Sequence, residues 1–439
     1  MFNLKTSIEK LILTCFLPIF IYGCSEQTLP AGREGDLIAF RTGMLEVDNS
    51  FSIEAKAAAY EKFHLLKTTA EDMSDAEFGL ALAEITAMAN NGHTLIDFDH
   101  FALRRNRLAV QFYIADDGLF IADAMPKLKN LIGQKIHTIE GMNLSQIRDH
   151  FKRYLSGRAG WLDYSMYRFI ESPELLFAAK ISASPDSVDL LLENGESLKV
   201  GISADWPKLK GDKRWTFTRE MELAINQRIQ RIPIYLQNPL EVTQVVDLPK
   251  FDAVYVQFRS NAGTDFSQTV RQIQKDLNEK KPQHIIVDQR FNSGGDLLNT
   301  RKLMNALPDI IPNDGKIIVI TSGRTFSAAI TSIGFLKQAG GDRVVIVGAP
   351  IGDELEFWAE GGSDVFKLPD LGAYFLPAIK RHNYKDGCFA LDCFLPMILF
   401  SIKVDSLDPD IQPARNFDEI INGGDPYLDA AIKLIEQSR

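Results

Sequence analysis

One stretch constrains this chain more than any other. Between residues 283 and 352, three short runs (284–287, 316–321 and 343–347) are rich in Ile and Val. Each is bounded by turn residues, and long amphipathic segments separate them. That spacing predicts buried parallel strands joined by crossover helices. In such sheets ligands bind beyond the carboxyl ends of the strands. Two Gly- or Ser-bearing turns fall at those ends, FNSGG after the first strand and SGRTFSAA after the second. They are the expected halves of one site.

The length, 439 residues, allows two or three domains. With 45% apolar and 24% charged residues the composition is that of a globular chain, neither disordered nor collagen-like. The net charge of −10 argues against nucleic acid as a partner. Residues 11–22 are almost wholly apolar but fall short of the roughly 20 residues a membrane-spanning helix needs. Following Lys5 and Lys10 and ending in Gly23-Cys24, the segment resembles a bacterial lipoprotein signal (1–23), with Cys24 as the lipidated anchor. Ser25 after the Cys implies the outer membrane, the protein facing the periplasm or being secreted. Residues 24–48 are then expected to be a tether. Cys388 and Cys393 remain; an exported setting permits a disulfide between them, and two Cys without nearby His make at most half a zinc site.

In order, residues 49–95 read as an N-terminal helical segment. A helix starts at Asp75 after Ser74 and stops at Asn90-Asn91-Gly92, just before His93. Residues 96–215 are β-rich, with hairpin signals at Asp116-Asp117-Gly118 and Glu193-Asn194-Gly195. The stretch LIGQKIHTIEGMNLSQIRDHF, a strand, a tight turn and a helix, looks like the second half of a PDZ-like module, the kind that holds extended peptides by strand addition. Residues 216–250 read as a connector and 251–425 as the core, with short strands at 366–368, 373–375 and 399–404. Asp425-Pro426 caps a closing helix over 426–439.

The turn TSGRTFSAA puts Ser327 at a helix entry after a buried strand, where free backbone N–H groups face its hydroxyl. A nucleophile with its own oxyanion donor needs those features; a plain helix cap has them too. In DQRFNSGGD the paired glycines let the backbone approach a ligand closely and aim N–H groups at an anion. The Lys-Ser/Thr of a phosphate loop is absent.

The combination D-x-R-x-N-x-G-G, then T-x-S-A about thirty residues on, then V-G, resembles the tail-specific (C-terminal-processing) serine peptidase family. The likeness runs from Phe251 to about Gln412. It implies a multidomain α/β protein: a crotonase-like ββα core, an inserted PDZ-like α+β module and an N-terminal helical segment. It implies Ser327 as nucleophile, the N–H groups of Ala328 and of Gly294 or Gly295 as the oxyanion hole, and Asp288, Arg290 and Asn292 as loop support. No cofactor or metal is implied; the substrate is a polypeptide, and the membrane is met through the N-terminal lipid.

One departure matters. The Ser–Lys branch places its Lys about twenty-five residues after the Ser. Here that position is Gly352, the V-G pair shifts the slot to Glu354, and no Lys lies between Gln338 and Lys367. The tricorn-like branch uses a His from the segment before the PDZ-like region, and His93 in NGHT fits that place. Imidazole can take the Ser proton and return it to the leaving amine. A carboxylate should orient it. Glu354 is the expected acid, Asp405 the alternative, and Asp353, Glu356 and Glu360 are expected to be solvated or structural. The rival reading is a non-catalytic ligand- or peptide-binding envelope lipoprotein on the same fold.

Overall fold

The structure, a computed structural model, describes residues 29–97, 107–203, 218–361 and 366–438. The expected signal segment, the Cys24 anchor and His100 lie outside them. The fold is a mixed α/β, multidomain arrangement of several sheets and helices.

Its centre is a five-stranded sheet in the order Val344–Gly348, Ile317–Thr321, His284–Asp288, Ala253–Phe258 and Thr243–Leu248. The first four are parallel and the last is antiparallel. Both faces are covered, which is why the strands read as unbroken apolar runs. Val254, Val256, Ile285, Val287, Ile317, Val319 and Ile346 pack with helices Phe266–Lys280, Arg301–Ile310 and Ala328–Gly340. Tyr255, Ile286, Ile318, Ile320 and Val347 face the closing helix Pro426–Glu436. Each buried Ile or Val contributes about 1.5–3 kcal/mol.

A six-stranded antiparallel sheet spans Arg107–Leu108 to Ser197–Ser203, with helices Leu144–Phe151, Ala159–Ile170 and Pro173–Ala178 threaded between its strands. Its inner residues, Leu108, Phe112, Ile121 and Val188 among them, share one apolar cluster with Phe63, Phe78 and Leu82 of the N-terminal helices Ile53–Thr69 and Asp75–Ala87. The latter helix starts on a Ser74/Glu77 capping box, as its sequence signals.

Three boundaries differ from the sequence expectation. The described part of the tether is folded: Arg33–Phe40 is helical, and Phe40, Met44 and Leu45 are fully buried. Its polar residues had masked an apolar stripe. The connector supplies the strand Thr243–Leu248, whose edge position alternates burial and so carries no continuous apolar run. The strand expected at 399–404 is absent; Leu395–Leu399 is a short helix instead, entered through Pro396.

The closing helix is tied to the core by a buried ionic group. Asp425 accepts from the Leu428 N–H as helix cap and takes both terminal nitrogens of Arg290, at 2.7 and 3.0 Å. Replacing Asp425 by Ala removes the cap and takes the carboxylate from both terminal nitrogens of buried Arg290, leaving Asp288 on Nε alone. Denaturant unfolding of this variant is expected to show a loss of about 3–5 kcal/mol.

Candidate active site

The two turns expected to form the site do meet at the carboxyl ends of adjacent strands. They are laced together by hydrogen bonds: Phe326 N–H to Asn292 O (3.0 Å), Thr325 Oγ1 to Gln289 O (2.9 Å) and Arg324 Nε to Phe291 O (3.3 Å). Ser327 follows, partly exposed, at the N-terminus of helix Ala328–Gly340. Its backbone, φ 53° and ψ −127°, lies where side-chain-bearing residues are rare. Such strain persists only where the surroundings enforce it, and that is typical of functional sites. As the first helical residue, Ala328 has no intrahelical acceptor for its N–H.

Gly294 packs directly against the Ser. A Cβ there would lie 2.7 Å from Ser327 Cβ and 3.1 Å from the Ala328 nitrogen, and its φ of 112° also favours glycine. The Gly294 N–H donates to Asn292 Oδ1 at 2.9 Å. Of the two expected glycines, Gly294 is thus the one whose N–H is engaged within the loop.

The expected support residues brace this loop. Asn292 Nδ2 donates to Asn261 Oδ1 (2.9 Å) and Gln289 Oε1 (2.6 Å). Asp288 accepts from Arg290 Nε (2.8 Å), the Arg290 N–H (2.9 Å) and the Tyr255 hydroxyl (2.6 Å). Burial pushes the Asp288 carboxyl up, against the pull of Arg290 and Tyr255. Arg290 is 1% exposed and lies over the Tyr235 ring at 4.2 Å.

His93 reaches the site from the other direction. Its helix stops as the sequence signals, Asn90 taking φ 49°. Gly92 then passes so close to Phe326 and Asp353 that a Cβ would lie 3.1 and 3.0 Å from them. The imidazole is clamped between the rings of Phe326 (4.2 Å between centroids) and Phe357 (4.9 Å). Trp161 stacks on the far face of Phe326 at 3.9 Å, and His382 on the far face of Phe357 at 4.9 Å. Five rings thus form one column with His93 at its middle. Its Nδ1 bonds Asp353 Oδ2 at 3.1 Å, while Nε2 is buried and, among the described residues, has no hydrogen-bond partner.

The carboxylate beside His93 is therefore Asp353, not Glu354 or Asp405. Glu354 is 72% exposed and, among the described residues, pairs with Arg158 at 3.7 Å; Asp405 is exposed. The reason is local. Gly352 lies against the Gly323 carbonyl, where a Cβ would come within 2.4 Å, and its own carbonyl accepts from the Arg158 N–H (3.1 Å). With that residue fixed, the next side chain points inward and the one after it outward. A spacing count along the chain could not see this turn, and only the glycine hinted at it. His382 is in the strand Lys380–Asn383 paired with Glu356–Ala359. Cys388 and Cys393 are joined as a disulfide beside that strand.

A strained, helix-entering Ser with free backbone N–H groups, near a His whose Nδ1 is held by a carboxylate, can carry out nucleophilic acyl transfer. Among the described residues no group of three or more His, Cys, Asp or Glu is placed to hold a metal ion. No protein-family model and no curated protein matches this sequence. Solved structures do share the fold. Mature CPAF matches with a TM-score of 0.54 at 14% identity, over 92% of this chain and 97% of that one. Mature CPAF complexed with lactacystin matches at 0.51 and 14%, over 88% and 92%. A serine-to-alanine mutant of CPAF matches at 0.54 and 13%, over 92% and 97%.

The ring column gives a direct expectation. Phe357→Ala should cost about 3–5 kcal/mol in thermal or denaturant unfolding, a cavity opening on one face of the imidazole.

Proposed function

We propose that this protein is a serine endopeptidase of the tail-specific type, working through a Ser–His–carboxylate group. The observation that carries the reading is the His93–Asp353 bond with Nε2 left free, beside the strained Phe326–Ser327 turn. The fold shared with CPAF supports it. Ser327 Oγ attacks a peptide carbonyl, and its proton passes to His93 Nε2. Asp353 holds the Nδ1–H tautomer and stabilises the imidazolium. The N–H groups of Ala328 and Gly295 receive the oxyanion. His93 then protonates the leaving amine, and water, activated in the same way, releases the acyl group. In the resting site Nε2 is unpaired, and substrate closure tightens such contacts.

The six-stranded sheet with its helices is the PDZ-like module of this reading, and the five-stranded sheet the crotonase-like core. A polypeptide substrate, export to the cell envelope and attachment through a lipidated Cys24 complete the proposal. The Cys388–Cys393 disulfide supports an oxidising compartment.

Hydrolysis of an unfolded fluorogenic polypeptide tests it. Ser327→Ala and His93→Ala should abolish turnover, and Asp353→Asn should lower kcat about ten-thousandfold. Glu354→Gln and Asp405→Asn should leave it unchanged. A folded wild type that binds the polypeptide without cleaving it would instead favour the binding-protein reading. Full activity in Asp353→Asn would remove that residue from the mechanism.

A further inference from the structure

The mechanism leaves one buried carboxylate unused. Asp48 is wholly buried and lies next to the base without touching it. Its Oδ2 accepts from the Thr94 hydroxyl at 2.8 Å and from the Ala378 N–H at 2.6 Å. Its Oδ1 accepts from the Ser50 N–H at 2.7 Å and from the Ser50 hydroxyl. Among the described residues no Lys or Arg pairs with the carboxylate; Lys56 donates to its main-chain carbonyl instead (2.8 Å). A buried charge without a counter-ion is costly unless hydrogen bonds satisfy it fully. Burial pushes the Asp48 carboxyl up, and its Ser50, Ala378 and Thr94 donors hold it down. Such an arrangement needs a reason, and its partners supply one.

Thr94 follows His93 and closes the turn that carries it, its N–H donating to Asn91 O at 3.1 Å. Asn91 Nδ2 donates to Thr94 Oγ1 and to Trp358 O, both at 3.0 Å, and Asn91 Oδ1 accepts from the Trp358 N–H at 3.0 Å. That binds the turn to the strand whose Phe357 clamps the imidazole. Ala378 lies in the crossing between two strands. Tyr374–Leu376 pairs with Leu95–Asp97, just after His93; Lys380–Asn383 pairs with the Phe357 strand. The Asp48 carboxylate therefore joins three distant segments at the point where the His93 turn enters the ring column.

We propose that Asp48 is a positioning residue for His93, its carboxylate fixing the Asn91–Thr94 turn so that the imidazole meets Asp353 and Ser327 in register. The proposal rests on His93 being the base. An amide cannot substitute for Asp48. Four donors converge on the carboxylate, whereas Asn offers one acceptor oxygen and turns its own N–H groups against them.

The test uses the full chain labelled with nitrogen-15 histidine and has two readouts. The first is the downfield proton resonance of His93 Nδ1–H in its bond to Asp353, assigned by its loss in His93→Ala. The second is the kcat and KM for polypeptide hydrolysis. Asp48→Asn and the isosteric Thr94→Val should each weaken or abolish the resonance. They should lower kcat about a hundredfold, as a misplacement near 1 Å can, with KM little changed. Thr94→Ser, which keeps the hydroxyl, should restore most of both. A resonance and kcat as in wild type for folded Asp48→Asn and Thr94→Val would overturn the proposal, and so would losses that only track the unfolded fraction. If the wild type shows the resonance but no hydrolysis, the peptidase reading fails, and the resonance in the variants still decides the role of Asp48.

Discussion

The contact on which the candidate site depends is between the Gly294 backbone and Ser327. Gly294 approaches Ser327 so closely that no side chain could stand between them. Only two turns at the carboxyl ends of neighbouring parallel strands can meet in this way, and only if both are rigid. The glycine loop is made rigid by Arg290, buried between Asp288 and Asp425, and by Asn292, which turns the Gly294 N–H back into the loop. The serine turn is held by its hydrogen bonds to that same loop. Strain at Ser327 is the local cost of exposing its hydroxyl at a helix entrance.

The proposed base, His93, comes from elsewhere in the chain, and packing more than hydrogen bonding sets its plane. Stacked rings on both faces fix the plane of the His93 imidazole, and the contact with Asp353 selects the edge that carries Nδ1. Such a clamp suits the imidazolium that the proposed mechanism forms, since aromatic faces attract a cation. Trp161, at one end of the column, belongs to the module that precedes the core. The backbones of Gly160 and Gly323 touch beside it. The candidate site is thus built by several parts of the fold at once, although Ser327 and the glycine loop lie within one short stretch.

The core was legible in the sequence because a strand buried on both faces must be apolar throughout, and its flanking turns must carry Gly or Ser. Ser327 and the glycine loop were legible for the same reason. His93 stood out by its place after a helix stop, in a motif with resemblance behind it. The carboxylate that contacts it did not. Its choice depends on which of two adjacent carboxylates a turn at Gly352 directs inward, a matter of packing against Gly323 that no linear spacing encodes. The folded tether and the edge strand Thr243–Leu248 were hidden likewise, being apolar on one side only. The ring column and the Asp48 node lie beyond any local pattern, since they join segments as far apart in the chain as Asp48 and Ala378.

The most direct measurement is the reaction of the soluble chain with a fluorophosphonate, the modified residue being located by mass spectrometry. Stoichiometric labelling at Ser327, lost in His93→Ala and strongly slowed in Asp353→Asn, is the result this account predicts. Labelling at another residue, or at Ser327 with equal speed when His93 is absent, would contradict it.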